Sequence, residues 1–237
     1  MSKAIKMIGK LIKKIQNKEL IEYIVWKFGI KKLVNRFSNN YWGVGDNYNW
    51  IFDLLSSEDV NYSEKVFIEI GSRDAKDTIT ILDNYNFSKA FVFEPSYPGI
   101  IECINNISNS AYRKKIVFYP FAISNKTDVV NFYENIKWQD YNGTRKANIG
   151  ASSLIQGENF KNEINYKVPS FKLSDVCEQY SEHIFLALID VEGSEYSILS
   201  SSIEIFKKIK YICIEIDFSN EDYEKTINLL QQMGFNF

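Results

Sequence analysis

The chain has 237 residues, a mass of 27.6 kDa and a formal net charge of −2, which fit one ordinary domain with an extension. Hydrophobic residues make up 45% and charged residues 24%, a globular composition that excludes collagen-like and disordered chains. Three separated cysteines and a single histidine, His183, exclude a disulfide framework, a zinc ribbon and most zinc hydrolase sites, so we expect a soluble protein of the reducing cytoplasm.

Residues 1–36 carry ten basic and two acidic residues, a balance of +8 against −10 for the rest of the chain. Apolar residues recur there at helical spacing with lysines on the opposite side, which predicts an amphipathic helix. The apolar residues are Ala4, Ile8, Leu11, Ile12 and Ile15, and the lysines are Lys3, Lys6, Lys10, Lys13 and Lys14. Two interpretations stay open: the helix packs on the domain or a partner subunit, or it makes a peripheral contact with anionic lipid at the inner membrane face. The segment lacks the aromatic and arginine content of a nucleic-acid groove, so we expect no nucleic-acid partner.

A polar and aromatic stretch over residues 39–50 indicates a loop rather than a linker. Its aromatic rings and amide side chains are of the kind that stack on sugar rings and bond hydroxyl groups, while a packed surface loop is the competing interpretation. We therefore predict a helical and loop extension over residues 1–60 and a main domain over residues 61–237.

The main domain alternates short apolar runs with helical patterns. The predicted strands are 65–70, 90–93, 115–119, 184–189 and 209–216, and the predicted helices are 75–85, 97–109, 194–201 and 222–233. This alternation predicts an α/β fold with a doubly wound, mostly parallel, Rossmann-like sheet and an N-terminal helical extension. We expect the stretch from Asn135 to Ile164 to be irregular and long enough to act as a substrate lid, or to be only a surface loop. Ser152 and Ser153 of this stretch are the candidate substrate-binding residues.

Ligands of such sheets bind beyond the carboxyl ends of the strands, where several acidic residues occur in this sequence. The first strand leads from Glu69 into Gly71-Ser72-Arg73-Asp74, where the glycine allows a tight turn close to a ligand. The second strand ends at Glu94-Pro95, and a carboxylate at this place can accept hydrogen bonds from both hydroxyls of a ribose. His183 precedes the fourth strand at its amino end, so we interpret it as a structural residue.

Two classes of cofactor compete for this layout. Dinucleotide enzymes need a G-x-G-x-x-G turn after the first strand, and here a single glycine is followed by Ser, Arg, Asp and Ala. A turn rich in carboxylates suits a cationic ligand without phosphates, and S-adenosylmethionine meets both conditions. An enzyme that acts on sugars with NAD is therefore disfavoured.

Four motifs resemble the FkbM family of S-adenosylmethionine-dependent methyltransferases. They are Phe67–Asp74, Phe91–Pro95, Gly150–Leu154 and Ile189–Tyr196, in the order and at the spacing of that family. The resemblance covers about residues 65–235 and implies a Rossmann-like enzyme that methylates oxygen, commonly a hydroxyl of a sugar or of a polyketide-derived glycan. It also implies that Ala122 and Ile123, after the third strand, flank the adenine of the cofactor.

Three departures from the family pattern bear on activity. Ala75 stands where the family usually has a second glycine, and Leu188 where it often has a lysine. The chain also reaches residues 234–237 where a sixth strand is expected to begin. These departures keep a second interpretation open, a methyltransferase fold that binds or scaffolds without turnover.

The expected cofactor residues line the ends of the first, second and fourth strands. Ser72, Arg73 and Asp74 face the methionine part, Glu94 the ribose, and Glu69 supports them. Asp190 and Glu192 lie at one strand end, where like charges raise the pKa of one of the pair. We expect Asp190 to bind the amino group of the cofactor and Glu192 to act as the base, with helix capping as the alternative for Glu192.

A magnesium-type site from Asp190, Glu215 and Asp217 stays open, because hard cations prefer carboxylate oxygens. The expected protein is thus an O-methyltransferase of saccharides or glycan precursors. The sequence leaves the acceptor and the oligomeric state open.

Overall fold

In the computed structural model of this chain, the described residues are 33–34, 49–135, 138–141, 144–147, 152–155, 163–216 and 221–236. The predicted N-terminal amphipathic helix, residues 39–48 of the predicted aromatic loop, Gly150, Ala151 and Asp217 lie outside these residues.

In chain order, the described strands and α-helices are β1 (Leu33–Val34), α1 (Asn49–Ser56), β2 (Val66–Ile70), α2 (Lys76–Asn84), β3 (Lys89–Phe93), α3 (Tyr97–Asn109), β4 (Ile116–Tyr119), β5 (Ala122–Ile123), β6 (Asp128–Asn135), β7 (Trp138–Tyr141), β8 (Thr144–Ala147), β9 (Glu163–Phe171), α4 (Leu173–Cys177), β10 (Ile184–Ile189), α5 (Glu195–Ser201), α6 (Ile203–Phe206), β11 (Tyr211–Ile214) and α7 (Tyr223–Gln232).

A parallel sheet forms the centre of the molecule, with its strands in the order β1, β11, β10, β2, β3, β4. Every residue of β2 and β10 is buried, which explains why these strands are continuous apolar runs rather than alternating ones. The predicted α/β fold with a doubly wound, mostly parallel sheet is confirmed.

Helices cover both faces of the sheet. On one face, α1, α2 and α3 contribute Ile51, Leu55, Ile81, Leu82, Cys103 and Ile107 to the core. On the other, α4 to α7 contribute Leu173, Cys177, Ile198, Leu199, Ile205, Phe206 and Leu230. Helix α1 falls within residues 1–60, yet its Ile51 and Leu55 belong to the core on the first of these faces. The division of the chain at residue 60 stays a prediction.

The stretch expected to be irregular, Asn135 to Ile164, contains a hairpin and connects two strands of a second sheet. Strand β9 pairs with β6 in antiparallel register, from Asp128 opposite Ser170 to Asn135 opposite Glu163, and with β5 in parallel. Strands β7 and β8 form an antiparallel hairpin. The second sheet places residues from the middle of the chain beside the carboxyl ends of the central strands.

None of the helices in the described part of the chain has both the length and the apolar composition that crossing a lipid bilayer requires.

Candidate functional site

The order of the central strands reverses between β2 and β10. From β2 the chain continues through β3 to β4 on one side, and it returns to the other side of β2 with β10 and β11. The two connections diverge at this point, which opens a crevice beyond the carboxyl ends of β2 and β10. Gly71 follows β2 and Asp190 follows β10, so the predicted site residues lie on both walls of the crevice.

Gly71 allows the two walls to approach closely. It has a φ of +83°, and a Cβ built on it would lie 1.8 Å from the carbonyl oxygen of Asp190. The N–H groups of Gly71 and Ser72 both donate to the carbonyl oxygen of Phe93, at 3.0 and 3.1 Å. A side chain at residue 71 would therefore force the β2 turn away from β10.

The turn after β2 is held by its own side chains. Ser72 Oγ accepts from the Ala75 N–H at 3.0 Å, and Asp74 Oδ1 accepts from the Lys76 N–H at 3.1 Å. Arg73 and Ala75 both have left-handed backbones, with φ values of 57° and 59°. Ala75 thus has a left-handed backbone, a conformation that glycine adopts without steric cost.

Glu94 links this turn to the start of α3. Its Oε2 accepts from the Arg73 N–H at 2.8 Å, and its Oε1 accepts from the Ser96 N–H at 2.7 Å. Burial raises the pKa of the Glu94 carboxyl, while the hydrogen bonds from Ser96 and Arg73 oppose that rise. A carboxylate has about four lone-pair sites, and the Ser96 hydroxyl also bonds to Glu94, so only part of its acceptor capacity is left for ribose hydroxyls. Pro95 is partly buried beside it.

Three other predicted cofactor residues, Glu69, Ala122 and Ile123, are buried. Glu69 accepts hydrogen bonds from the backbone and hydroxyl of Thr78, which makes it a support for α2. Ala122 and Ile123 form β5 and are 3% and 2% exposed, with Ile123 in the main core and Ala122 against the second sheet. The expected contact of this pair with adenine stays a prediction.

Asp190 and Glu192 lie on the opposite wall, and both are exposed. Glu192 has a φ of 52°. Helix α5 begins at Glu195, whose Oε1 accepts from the Gly193 N–H at 2.8 Å. The structure brings Asp190 and Glu192 to the same edge of the sheet as Gly71 and Glu94, as the sequence predicts.

The two candidate substrate residues tie the second sheet to this wall. Ser152 Oγ accepts from the Asn135 N–H at 3.0 Å. Ser153 Oγ donates to the carbonyl oxygen of Glu192 at 2.7 Å, and its backbone pairs with Tyr133. Both serines therefore lie at the crevice, but their hydroxyls already bond to the protein.

No group of three metal-ligating side chains occurs among the residues that the structure describes. Asp217, one member of the magnesium-type site left open above, lies outside those residues. The carbonyl of His183 accepts from the Val66 N–H at 2.9 Å, at the amino ends of the strands and away from the crevice.

The sequence interpretation missed a second group of residues at the crevice. Tyr97, the first residue of α3, stacks on Tyr166 of β9 with ring centroids 4.5 Å apart. Tyr166 in turn bonds to Glu134 of β6. Residues 128–135 show no strict alternation of apolar and polar residues, and only the fold of the second sheet brings Glu134 and Tyr166 beside the start of α3.

Comparison with known proteins gives one family and one similar structure. The model of the family described as Methyltransferase FkbM domain matches residues 66–237. No curated protein matches the sequence. The crystal structure of methyltransferase FkbM from Methylobacillus flagellatus KT matches with a TM-score of 0.48 and 13% identity, over 74% of this chain and 39% of that chain. This chain therefore spans about two fifths of the length of that protein.

Proposed function

This chain belongs to the FkbM methyltransferase family, and from that premise we propose that it transfers a methyl group from S-adenosylmethionine to a hydroxyl of a saccharide or glycan precursor. The family match over residues 66–237 carries the methyl-transfer part of the proposal. The carboxylates on both walls of the crevice support a cationic ligand without phosphates. The acceptor class rests on the resemblance described above.

The residues of the crevice fit this cofactor, which supplies an electrophilic methyl group when bound. Glu94 accepts hydrogen bonds from the ribose, because its three protein donors, the N–H groups of Arg73 and Ser96 and the Ser96 hydroxyl, leave part of its acceptor capacity free. The turn from Gly71 to Asp74 lies against the methionine part. Ala122 and Ile123 flank the adenine.

Asp190 and Glu192 divide the remaining roles in this proposal. Asp190 binds the amino group of the cofactor, and Glu192 accepts the proton of the acceptor hydroxyl. Positioning of the hydroxyl supplies most of the rate, because the reaction is a direct displacement that requires alignment of the reacting atoms. The serines at 152 and 153 hold the second sheet beside these carboxylates.

Thermal unfolding with and without ligand tests the cofactor. A ligand at about 100 times its dissociation constant adds roughly 2.7 kcal/mol to the free energy of unfolding. We expect S-adenosylmethionine and S-adenosylhomocysteine to raise the unfolding temperature, NAD to leave it unchanged, and Glu94→Ala to abolish the ligand-dependent rise. A rise with NAD alone would contradict the proposal.

Transfer of a labelled methyl group to a panel of neutral glycosides tests the reaction itself. The alternative interpretation is a methyltransferase fold that binds the cofactor without turnover. Cofactor binding without any labelled product would favour that alternative.

A substitution at Ala75 tests whether the alanine in the turn impairs cofactor binding. Because Ala75 already has a left-handed backbone, Ala75→Gly is expected to change cofactor affinity by less than about twofold. A large gain in affinity would instead mean that the alanine impairs the turn.

A further inference from the structure

Glu134 is a buried carboxylate at the end of β6 nearest the crevice. Residues directly opposite each other in antiparallel strands share a face, so Phe132 and Glu134 lie on the same face as Tyr166 of β9. Phe132 packs in a small core with Ala122 and Val168. Glu134 itself is only 8% exposed.

Tyr166 fixes the orientation of this carboxylate. Its hydroxyl donates to Glu134 Oε2 at 2.6 Å and accepts from the Tyr97 N–H at 3.1 Å. Burial raises the pKa of the Tyr166 hydroxyl, and the charges of Glu134 and Glu94 raise it further. The phenol therefore stays protonated and remains the donor in its bond to Glu134.

Hydrogen bonds connect the surroundings of Glu134 to both walls of the crevice. On one side, Tyr166 bonds to the first residue of α3, which follows β3 and Glu94. On the other side, Asn135 bonds to Ser152, and Ser153 bonds to the carbonyl of Glu192 after β10. Strand β2 lies between β3 and β10, so these contacts connect the end of β6 to the residues that follow the strands on both sides of β2.

The charge of Glu134 has no cationic partner within the described residues. Its hydrogen-bond partner there is a neutral phenol, and none of the ion pairs found in that part of the chain includes it. A buried carboxylate is costly unless a positive charge or several donors compensate it. A ligand cation bound in the crevice would supply that compensation.

We propose that Glu134 recognises the positive charge of S-adenosylmethionine and that Tyr166 is the residue that positions it. This inference rests on the proposed function, because it assigns a new residue to the same cofactor site. If Glu134 has this role, the site binds the charged cofactor more tightly than the neutral product. Methyl transfer removes the charge from sulfur, so the neutral product S-adenosylhomocysteine loses this attraction and leaves more easily.

Isothermal titration of the full chain with three ligands tests the proposal. S-adenosylmethionine and sinefungin carry a positive charge at the sulfur position or its equivalent, whereas S-adenosylhomocysteine is neutral there. Glu134→Gln keeps the shape of the side chain and an oxygen for Tyr166. We expect it to weaken the two charged ligands about ten- to hundredfold and the neutral one by less than about twofold.

Two further variants separate recognition from folding. Asp128→Asn makes the same chemical change on the same strand at an exposed carboxylate that pairs with Lys126, and it is expected to leave all three affinities unchanged. Tyr166→Phe removes the hydroxyl that orients Glu134 and is expected to reduce the preference for charged ligands by a smaller factor.

The outcomes distinguish this proposal from the one on which it rests. Equal weakening of charged and neutral ligands in Glu134→Gln, or no change in any affinity, would overturn the role of Glu134 while leaving the cofactor assignment intact. Failure of the unmodified protein to bind any of the three ligands would overturn both.

Discussion

Glu69 is a buried acid in strand β2, and its environment is expected to make the stability of the protein depend on pH. Burial and the nearby charge of Asp77 raise its pKa from 4.5 to about 8, although the Thr78 hydroxyl opposes the shift. The native state therefore binds a proton that the unfolded chain releases near pH 4.5. This contribution to stability is complete below the unfolded pKa and is lost as the pH rises towards 8.

We expect Glu69→Gln to reduce the decline in stability between pH 5 and pH 8 by up to about 3 kcal/mol, because each pKa unit corresponds to about 1.4 kcal/mol. Urea unfolding at three pH values in this range measures it. Glu102→Gln, a matched change at an exposed residue of α3, is expected to retain the full decline. The same slope in both variants would show that Glu69 does not carry the effect.

Substitutions at Gly71 and Gly234 compare two destabilising effects of an added side chain, backbone strain and steric collision. Both have left-handed backbones, with φ values of +83° and +92°, but only a Cβ at Gly71 would collide with the Asp190 carbonyl. Gly234→Ala is expected to cost about 1–2 kcal/mol, for the backbone conformation alone. Gly71→Ala is expected to cost about 3–5 kcal/mol and to abolish stabilisation by S-adenosylmethionine. Thermal unfolding with and without ligand measures both effects, and equal losses would contradict the close approach of β2 to β10.

At the scale of elements, α3 packs through a glycine against the carboxylate of Glu94, the proposed ribose acceptor. A Cβ on Gly99 would lie 2.7 Å from the carboxyl carbon of Glu94 and 2.5 Å from Ser96 Oγ, which caps the helix. Gly99→Ala is therefore expected to displace Glu94 and to weaken S-adenosylmethionine and S-adenosylhomocysteine equally, by about tenfold. Titration calorimetry tests this, and unchanged affinities would remove Glu94 from the ribose site. The equal effect on both ligands contrasts with the selective effect expected for Glu134.

The elements differ in how far the sequence predicts them. Strands β2 and β10 are buried on both faces, so each is a continuous apolar run that a single sequence reveals. Strands β6 and β9 are half exposed, so neither is a continuous apolar run. They also lie far apart in the sequence, so no local pattern predicts that they pair. The same distinction applies to the site: Glu94 follows a predictable strand, whereas Glu134 reaches the crevice only through the second sheet.

At the scale of the whole molecule, the described domain and the N-terminal segment carry opposite charge. Residues 1–36 have a balance of +8, and the remainder of the chain has −10. Lysines near an anionic membrane contribute about 1 kcal/mol each, so several together can hold a protein at the surface. If the segment binds lipid, it would hold the domain near the proposed acceptor in a lipid-linked form.

Replacement of the five lysines at positions 3, 6, 10, 13 and 14 by glutamine tests this role in the full chain. If the segment binds lipid, we expect the unmodified protein to sediment with vesicles that contain phosphatidylserine, and the variant to lose most of that binding. Neutral phosphatidylcholine vesicles are the control, and added salt should weaken the interaction because it screens the charges. Affinity for S-adenosylmethionine should not change, since the proposed cofactor residues all lie within residues 69–192. Equal sedimentation of both proteins would favour the alternative, in which the segment packs on the domain or on a partner subunit.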